Sequence, residues 1–397
     1  MIKKSLVITV LTSLAASAAF GAEWRIEPIL RAAYETDDNA TLSILTIDEP
    51  DISGSIADVS AKFSYASPLT RFEITPQYVD RNYGDEDFDG DEQFLKFRFD
   101  RQNQSSRFQF RGRYTRELAR TAERVDADLD IDDPDEIPVE DSGRVVVRDY
   151  RELFELTPRF TYQITDASAL RVDLRYTDVT YDEELADLLT DYTNARVNLN
   201  FSRAWSPRNK ALLRLTYREY EAEGSEAQTG IGLSGGFEAR VSEKTTLRAL
   251  VGLEDTEDAS GESDVNPVAD ISLTRNLETI TFLAQYRRVI SGGGSGSLTE
   301  RDIFNINFKR QLSDLITAGI GVRAYATSAT SEGATTINER DYVQLRAQFI
   351  WNLSNTISLE ANYRYTVLDR ATLGESANSN NISLWLNWRP KPYSSAK

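Results

Sequence analysis

The chain alternates between apolar and polar residues in short segments from Trp24 to Trp388. In the segment from Arg107 to Tyr114, the residues Phe, Phe, Gly and Tyr alternate with Arg, Gln, Arg and Arg. Successive side chains of a β-strand point to opposite faces, so each segment has one apolar face and one charged face. The apolar face would form the core of a soluble β-protein, whereas it would contact lipid in a membrane barrel.

The connections between these segments favour the membrane barrel. Short polar turns, such as Ser67-Pro68 and Ser354-Asn355, alternate strictly with longer connections, such as those at 35–53 and 118–147. Short turns at one end and long loops at the other are typical of outer-membrane barrels. We therefore predict an all-β fold: a single transmembrane antiparallel up-and-down β-barrel of about 18 strands, with about 16 as the alternative. An even number of strands would place both termini in the periplasm.

Aromatic residues of the apolar register are sorted to the two ends of the strands. One set falls where outward-running strands end: Tyr34, Tyr78, Tyr114, Tyr176, Tyr217, Tyr286, Tyr363 and Tyr365. A second set falls where inward-running strands end: Tyr65, Phe99, Phe160, Tyr162, Phe201, Phe237, Phe308, Phe349, Trp351 and Trp388. Aromatic rings concentrate at both membrane interfaces because they suit the headgroup level. The sorting therefore supports a membrane barrel over a soluble sandwich.

The polar register is rich in arginine. We predict that the following arginines line a pore: Arg71, Arg98, Arg107, Arg111, Arg113, Arg159, Arg171, Arg175, Arg196, Arg214, Arg218, Arg346 and Arg364. Acidic residues on this register are fewer, so the wall should be net positive although the whole chain carries −18. Such a wall would favour anions, and the planar guanidinium suits carboxylate, phosphate or sulfate. The alternative is that these arginines only brace the wall through cross-strand ion pairs.

The first 22 residues are predicted to be a cleaved signal peptide, because Lys3 and Lys4 precede an apolar stretch and a small-residue cleavage site. Residues 23–397 would then form the barrel, with a long acidic extracellular loop at about 118–147. The apolar face of the last strand ends at Trp388 and resembles the signal read by outer-membrane assembly machinery. The expected location is the outer membrane of a Gram-negative bacterium, with lipid and that machinery as partners.

The composition argues against several other functions. The chain contains no histidine and no cysteine, which removes the usual activators of a nucleophile, so we expect no enzymatic activity. No cofactor is predicted, and the acidic segment 126–133 lacks the glycine and glutamate spacing of a calcium-binding EF-hand loop. Nucleic acid is not an expected partner because the net charge is strongly negative.

Several short motifs resemble those of the β-barrel porin 2 group of outer-membrane proteins. They are Trp24-Arg25-Ile26-Glu27-Pro28, Tyr34-Glu35-Thr36-Asp37-Asp38-Asn39, Tyr65-Ala66-Ser67-Pro68, Arg81-Asn82-Tyr83 and Asp191-Tyr192. Relatives in this group are often encoded beside genes for exopolysaccharide assembly. The resemblance implies a barrel that serves polymer secretion, with periplasmic export components as partners, and it brings no catalytic residues.

These observations predict a water-filled, arginine-lined channel in the outer membrane that exports an anionic exopolysaccharide. One alternative is a general or anion-selective diffusion porin for small solutes. The other is a structural or adhesive barrel plugged by the long loop at 118–147, whose acidic residues could pair with the basic wall.

Overall fold

The computed structural model describes residues 22–42, 51–122, 150–182, 189–258, 261–294, 296–329, 340–370 and 375–395. The strands within these residues are β1 (Glu23–Asp37), β2 (Ile52–Ala66), β3 (Thr70–Asn82), β4 (Gly90–Gln102), β5 (Ser106–Leu118), β6 (Tyr150–Thr165), β7 (Ser168–Tyr181), β8 (Tyr192–Ser206), β9 (Asn209–Ala222), β10 (Gln228–Ser242), β11 (Thr245–Glu257), β12 (Ser263–Asn276), β13 (Ile280–Gly292), β14 (Leu298–Gln311), β15 (Ile316–Ala329), β16 (Arg340–Asn352), β17 (Ile357–Arg370), β18 (Glu375–Trp388) and β19 (Tyr393–Ser394). A single helical turn, α1 (Ala119–Ala122), follows β5. The predicted signal peptide and most of the predicted acidic loop lie outside the described residues, so both stay predictions.

The strands form one closed antiparallel barrel. Each strand from β1 to β17 pairs with the next strand in sequence, and β18 pairs with β1 in the register Leu30↔Trp388 to Asp37↔Asn381. The prediction of an 18-stranded up-and-down barrel is therefore confirmed. The two-residue strand β19 pairs with β1 beside β18, opposite Arg25 and Ile26.

Side-chain hydrogen bonds reinforce the seam between the first and last barrel strands. Asp37 accepts hydrogen bonds from Ser379 Oγ at 2.7 Å and from Asn381 Nδ2 at 3.1 Å. Asp38 accepts hydrogen bonds from the backbone nitrogen of Asn380 at 2.6 Å and from its Nδ2 at 2.8 Å. All backbone groups of a closed barrel find partners, which is what a non-aqueous surrounding requires.

The two ends of the barrel differ. At one end, called the turn end here, β2–β3, β4–β5 and the other even-to-odd strand pairs are joined by two to four residues. The longer connections lie at the opposite end, called the loop end. The register Leu30↔Trp388 places the last residue of β18 opposite the middle of β1, on the side of the turn end. The predicted alternation of short and long connections is thus present in the structure.

The outer surface is an apolar band. On neighbouring strands β8, β9 and β10, Leu199, Leu215 and Leu233 lie side by side, and each is exposed by 40% or more. Exposed aromatic side chains flank the band, with Tyr78 and Tyr217 towards the loop end and Phe160 and Trp351 towards the turn end. A band of this kind, with an aromatic girdle at each edge, is the exterior of a transmembrane barrel. Within the described residues, none of the helical segments has the length and apolar character needed to cross a membrane.

The interior of the barrel is more crowded at the loop end than at the turn end. Tyr342, Leu368 and Tyr220 face inward and are fully or almost fully buried, and apolar clusters surround them. Leu42, from the β1–β2 connection, packs into one of these clusters against Tyr325 and Tyr342. By contrast, Arg107 near the turn end keeps 46% of its side chain accessible.

Candidate functional site: the basic lumen

Every arginine predicted to line the pore lies on the register that faces the barrel interior. Neighbouring strands place several of them side by side, as in the register pairs Arg98↔Arg111, Arg175↔Arg196, Arg196↔Arg218 and Arg346↔Arg364. Paired strands lie about 4.8 Å apart, so each pair brings two guanidinium groups onto one patch of wall. Whether they line a conducting path stays a prediction.

Near the turn end, charged and amide side chains form a solvent-accessible network on β4 and β5. Asp100 accepts hydrogen bonds from Arg107 and from Gln109 Nε2, the latter at 3.1 Å. Arg71 lies opposite Asp100 on β3, and Arg98 lies opposite Glu73. The wall in this half is polar and open to water.

Further into the barrel, single carboxylates are shared between two arginines. Asp173 contacts Arg159 Nε at 2.5 Å and Arg171 Nε at 2.9 Å. Glu155 contacts Arg175 at 2.7 Å and Arg113 at 3.5 Å. Two guanidinium groups therefore converge on each of these carboxylates, and this ion pairing braces the wall across neighbouring strands.

A third shared carboxylate links strands that are not neighbours. Asp270 on β12 lies 3.6 Å from Arg287 Nε on β13 and 3.9 Å from Arg214 Nη1 on β9. Arg214 also donates to Asn200 Oδ1 at 2.8 Å, and Asn200 donates to Asp173 Oδ2 at 2.7 Å. A chain of hydrogen bonds and ion pairs therefore runs around the wall from β6 to β13.

A fully buried ion pair lies beside this chain. Arg218 Nε on β9 donates to Glu254 Oε1 on β11 at 3.1 Å, and both side chains are almost completely buried. The strand between them presents Gly230 and Gly232 on the inner face. A Cβ atom at Gly230 would lie 3.1 Å from Glu254 Oε1. The absence of side chains at these two glycines lets Arg218 reach across β10.

A small recess opens on the wall between β7 and β8. It is lined by Arg175, Thr177, Tyr192, Asn194 and Arg196. Arg196 lies between Arg175 and Arg218 in the cross-strand register. Two guanidinium groups, two hydroxyl groups and an amide give the recess the donors that bind carboxylate, phosphate or sulfate.

Several inward-facing arginines were absent from the predicted set. Arg31 pairs with Asp58, Arg151 Nη2 donates to Glu117 Oε1 at 2.9 Å, and Arg301 stacks over the ring of Tyr325 at 4.9 Å. The alternation alone would have identified Arg31, since it occupies the polar register of β1. Arg301 lies in β14 just beyond a glycine-rich connection, where the sequence gives no strand boundary.

At the loop end, a partly buried polar contact joins β1 to the β3–β4 connection. Tyr83 in the β3–β4 connection donates from its hydroxyl to Glu35 Oε1 at 2.8 Å. Burial raises the pKa of the Tyr83 phenol, and the nearby Glu35 carboxylate raises the pKa further. The guanidinium of Arg120 in α1 lies 5.1 Å from the Tyr83 ring and 5.3 Å from the Phe88 ring. These contacts hold the β3–β4 connection and the helical turn α1 against the loop end of β1.

The tip of the β13–β14 hairpin is folded into the lumen. We call residues 289–298, apart from residue 295, the inner tip. Strand β13 pairs with β12 only as far as Arg288↔Ala269, although it pairs with β14 as far as Gly292↔Leu298. The inner tip therefore leaves the wall beside β12.

The inner tip contacts the wall formed by β6 to β10. Ile290 and Leu298 pack in a buried cluster with Leu153, Val179 and Tyr192. Both partners of this cluster are apolar, so the contact excludes water from that part of the lumen.

Three hydrogen bonds hold the inner tip against that wall. Tyr220 Oη donates to the carbonyl oxygen of Gly293 at 2.7 Å, and the Thr190 backbone nitrogen donates to the carbonyl of Gly294 at 2.9 Å. The backbone nitrogen of Leu298 donates to Gln228 Oε1 at 3.1 Å. The inner tip is thus a described segment that narrows the lumen, in addition to Leu42. The predicted plug at 118–147 falls mostly outside the described residues.

Within the described ranges there is no group of three or more acidic residues arranged to hold a metal ion.

Comparisons with known proteins give distant structural likenesses. No family model and no curated protein matches the chain. The crystal structure of OccAB3 from Acinetobacter baumannii has 10% identity and a TM-score of 0.49, and the match covers 94% of this chain and 99% of that one. The outer-membrane protein OpdK from Pseudomonas aeruginosa has 11% identity and a TM-score of 0.47, with coverage of 94% and 99%. The outer-membrane channel DcaP of A. baumannii has 11% identity and a TM-score of 0.43, with coverage of 94% and 98%. The assignment of the barrel fold rests on the strand pairing itself, and the resemblance to the β-barrel porin 2 group stays a prediction.

Proposed function

We propose that this protein is an outer-membrane channel whose basic lumen carries anionic solutes. The proposal places the turn end and both termini in the periplasm and the loop end at the cell surface. It rests on the apolar outer band together with the arginine-rich inner wall. A closed barrel with these two surfaces can hold a polar path inside a membrane.

The observation that carries anion preference is the sharing of carboxylates. Asp173, Glu155 and Asp270 are each in contact with two arginines. On the inner register as a whole, the arginines outnumber the carboxylates. The excess of guanidinium groups lowers the electrostatic barrier for anions and raises it for cations.

Within this function, we propose an anionic exopolysaccharide as the cargo, moving outward. Support comes from the distribution of partly exposed arginines along the lumen, from Arg107 near the turn end through Arg171 to Arg175 further towards the loop end. A polymer with a carboxylate on successive sugars could contact several of these groups at once, whereas a small ion would contact one or two. The sequence resemblance to proteins encoded beside exopolysaccharide assembly genes points in the same direction.

Efflux from vesicles tests the cargo class. Vesicles containing the full-length protein would be loaded with oligogalacturonate of graded length or with neutral dextran of matched size. The proposal predicts faster efflux of the anionic chains at every length that passes. Equal efflux of both would contradict anion preference, and efflux of short chains only would favour the alternative of a small-solute channel.

Deletion of the gene separates export from general diffusion. A loss of secreted polysaccharide, restored by the intact gene, is the result that export predicts. Unchanged secretion would leave a diffusion channel for small anions as the better account.

A structural or adhesive barrel is the second candidate, because the loop-end half of the lumen is packed. Tyr342, Gln344 and Thr366 are completely buried there, and the inner tip covers part of the opposite wall. A permanently closed barrel predicts no conductance in planar bilayers under any voltage or salt gradient. A channel predicts discrete conductance steps.

A further inference from the structure

We propose that the inner tip is a gate that moves between two positions: docked across the lumen, as described above, and paired with β12 in the barrel wall. The inference rests on the proposed channel function and adds the element that opens and closes it. The unusual feature is that β13 loses one of its two partners along its length. Up to Arg288 it pairs with both β12 and β14, and beyond that residue it pairs with β14 alone.

The edge of β12 beside the tip is not paired with β13. Strand β12 begins at Ser263, but its pairing with β13 begins only at Ala269. Continuing the observed register would place Val289 opposite Val268 and Ser291 opposite Asn266. Antiparallel pairing needs no other change of register, so the open position is a direct extension of the existing sheet. Pro267 would lie opposite Ile290 and lacks an N–H donor, which makes this pairing weaker than an ordinary ladder.

The docked position requires glycine. A methyl group on Gly292 would overlap the ring of Tyr220, and a Cβ atom at Gly294 would lie 2.6 Å from Tyr181 Oη. Only glycine allows the backbone to approach these rings so closely. The three hydrogen bonds and the small apolar cluster described above complete the docking site. The contacts that hold the docked position are separate from the backbone pairing that would hold the tip against β12. Two separate sets of interactions for one segment are what a two-state element requires.

The test traps each position in the full-length protein, which has no natural cysteine. Gln228→Cys with Leu298→Cys, joined by a short bis-maleimide, would fix the docked position, because the Leu298 nitrogen lies 3.1 Å from Gln228 Oε1. Ser291→Cys with Asn266→Cys, oxidised to a disulfide, would fix the wall-paired position. Directly opposed residues in antiparallel strands have the Cα separation that a disulfide needs.

Planar-bilayer recordings then give the outcome. The docked cross-link should hold the channel at its lowest conductance, and the wall-paired disulfide should hold it at its highest until a reductant is added. Failure of the wall-paired disulfide to form, or the same conductance with and without each cross-link, would overturn the gate. If unmodified protein and both trapped forms all fail to conduct, the proposed channel function fails instead.

Two single substitutions provide a milder test. Tyr220→Phe removes one buried hydrogen bond and should shift the closed-to-open ratio towards open by about two- to tenfold. Gly292→Ala should shift it in the same direction, because the added methyl group cannot fit against Tyr220. Gly235→Ala is the matched control: it also replaces a strand glycine, but its Cβ atom would meet no atom within 4 Å, and its ratio should not change. A ratio unchanged in Gly292→Ala would contradict the docking geometry.

Discussion

Leu215→Arg tests whether the apolar outer face contacts lipid. Leu215 lies on β9 between Leu199 and Leu233, with the aromatic Tyr217 two residues closer to the loop end. Its side chain is 46% exposed in the isolated barrel, so in water the change would be an ordinary surface substitution that costs within about 0.5 kcal/mol. In a bilayer, an arginine near the midplane of a barrel costs about 2–4 kcal/mol. The folding equilibrium should therefore weaken by about 30- to 1,000-fold, since about 1.4 kcal/mol corresponds to a factor of ten.

The assay is urea unfolding from phospholipid vesicles, followed by tryptophan fluorescence. Glu219→Arg is the matched control, because Glu219 shares the outer face of β9 but lies beyond Tyr217 at the loop end. We expect the control to change the free energy of unfolding by less than about 1 kcal/mol, as found for substitutions near the interface. A cost below about 0.5 kcal/mol for Leu215→Arg in vesicles would refute the lipid-facing assignment.

Three further predictions concern the lumen wall. Glu254→Gln breaks the buried ion pair with Arg218, so it should lower the free energy of unfolding by about 3–5 kcal/mol in the same urea assay. The control, Glu243→Gln in the exposed β10–β11 turn, should have no measurable effect on the free energy of unfolding. Asp173→Asn removes the negative charge shared by Arg159 and Arg171, so it should raise the anion-to-cation permeability ratio. It should also lower the free energy of unfolding by about 1–3 kcal/mol. A fall in the permeability ratio would contradict the electrostatic account. Replacing both Arg346 and Arg364 by glutamine should lower the ratio measured from reversal potentials, and Arg389→Gln, beyond the last barrel strand, should leave it unchanged.

The barrel and its register could be predicted from the sequence because the governing interactions are local and periodic. A side chain's face depends only on its parity within a strand, so Arg214 and Leu215 were assigned to opposite faces without knowledge of any contact. Strands with weak patterns, at 53–66 and 263–288, are present as well. These strands form although their apolar and polar residues alternate poorly, because their backbone groups hydrogen-bond to the strands beside them.

The inner tip could not be predicted, because it depends on contacts across the lumen between strands far apart in the sheet. From the sequence, the glycine- and serine-rich stretch at 291–299 predicts only a long connection between two strands. Its inward position follows from the fit of Gly292 against Tyr220, which no pattern in the sequence reports. A run of glycines beside a strand end does suggest a close backbone approach, and it is the one signal that pointed to this place.

The sharing of carboxylates was equally hidden. The sequence predicts an excess of arginine on the inner register, but it cannot show which arginines meet the same acid. Arg214 reaches Asp270 across two intervening strands, and Arg218 reaches Glu254 across glycines. These distances show which arginines and acids brace the wall together.

The most direct test of the account is the reversal potential of the full-length protein in a planar bilayer with a potassium chloride gradient. A net positive lumen predicts discrete channels whose reversal potential has the sign set by chloride, with a smaller value at high salt because the wall charges are screened. A reversal potential with the sign set by potassium would contradict the central claim that the basic wall selects anions.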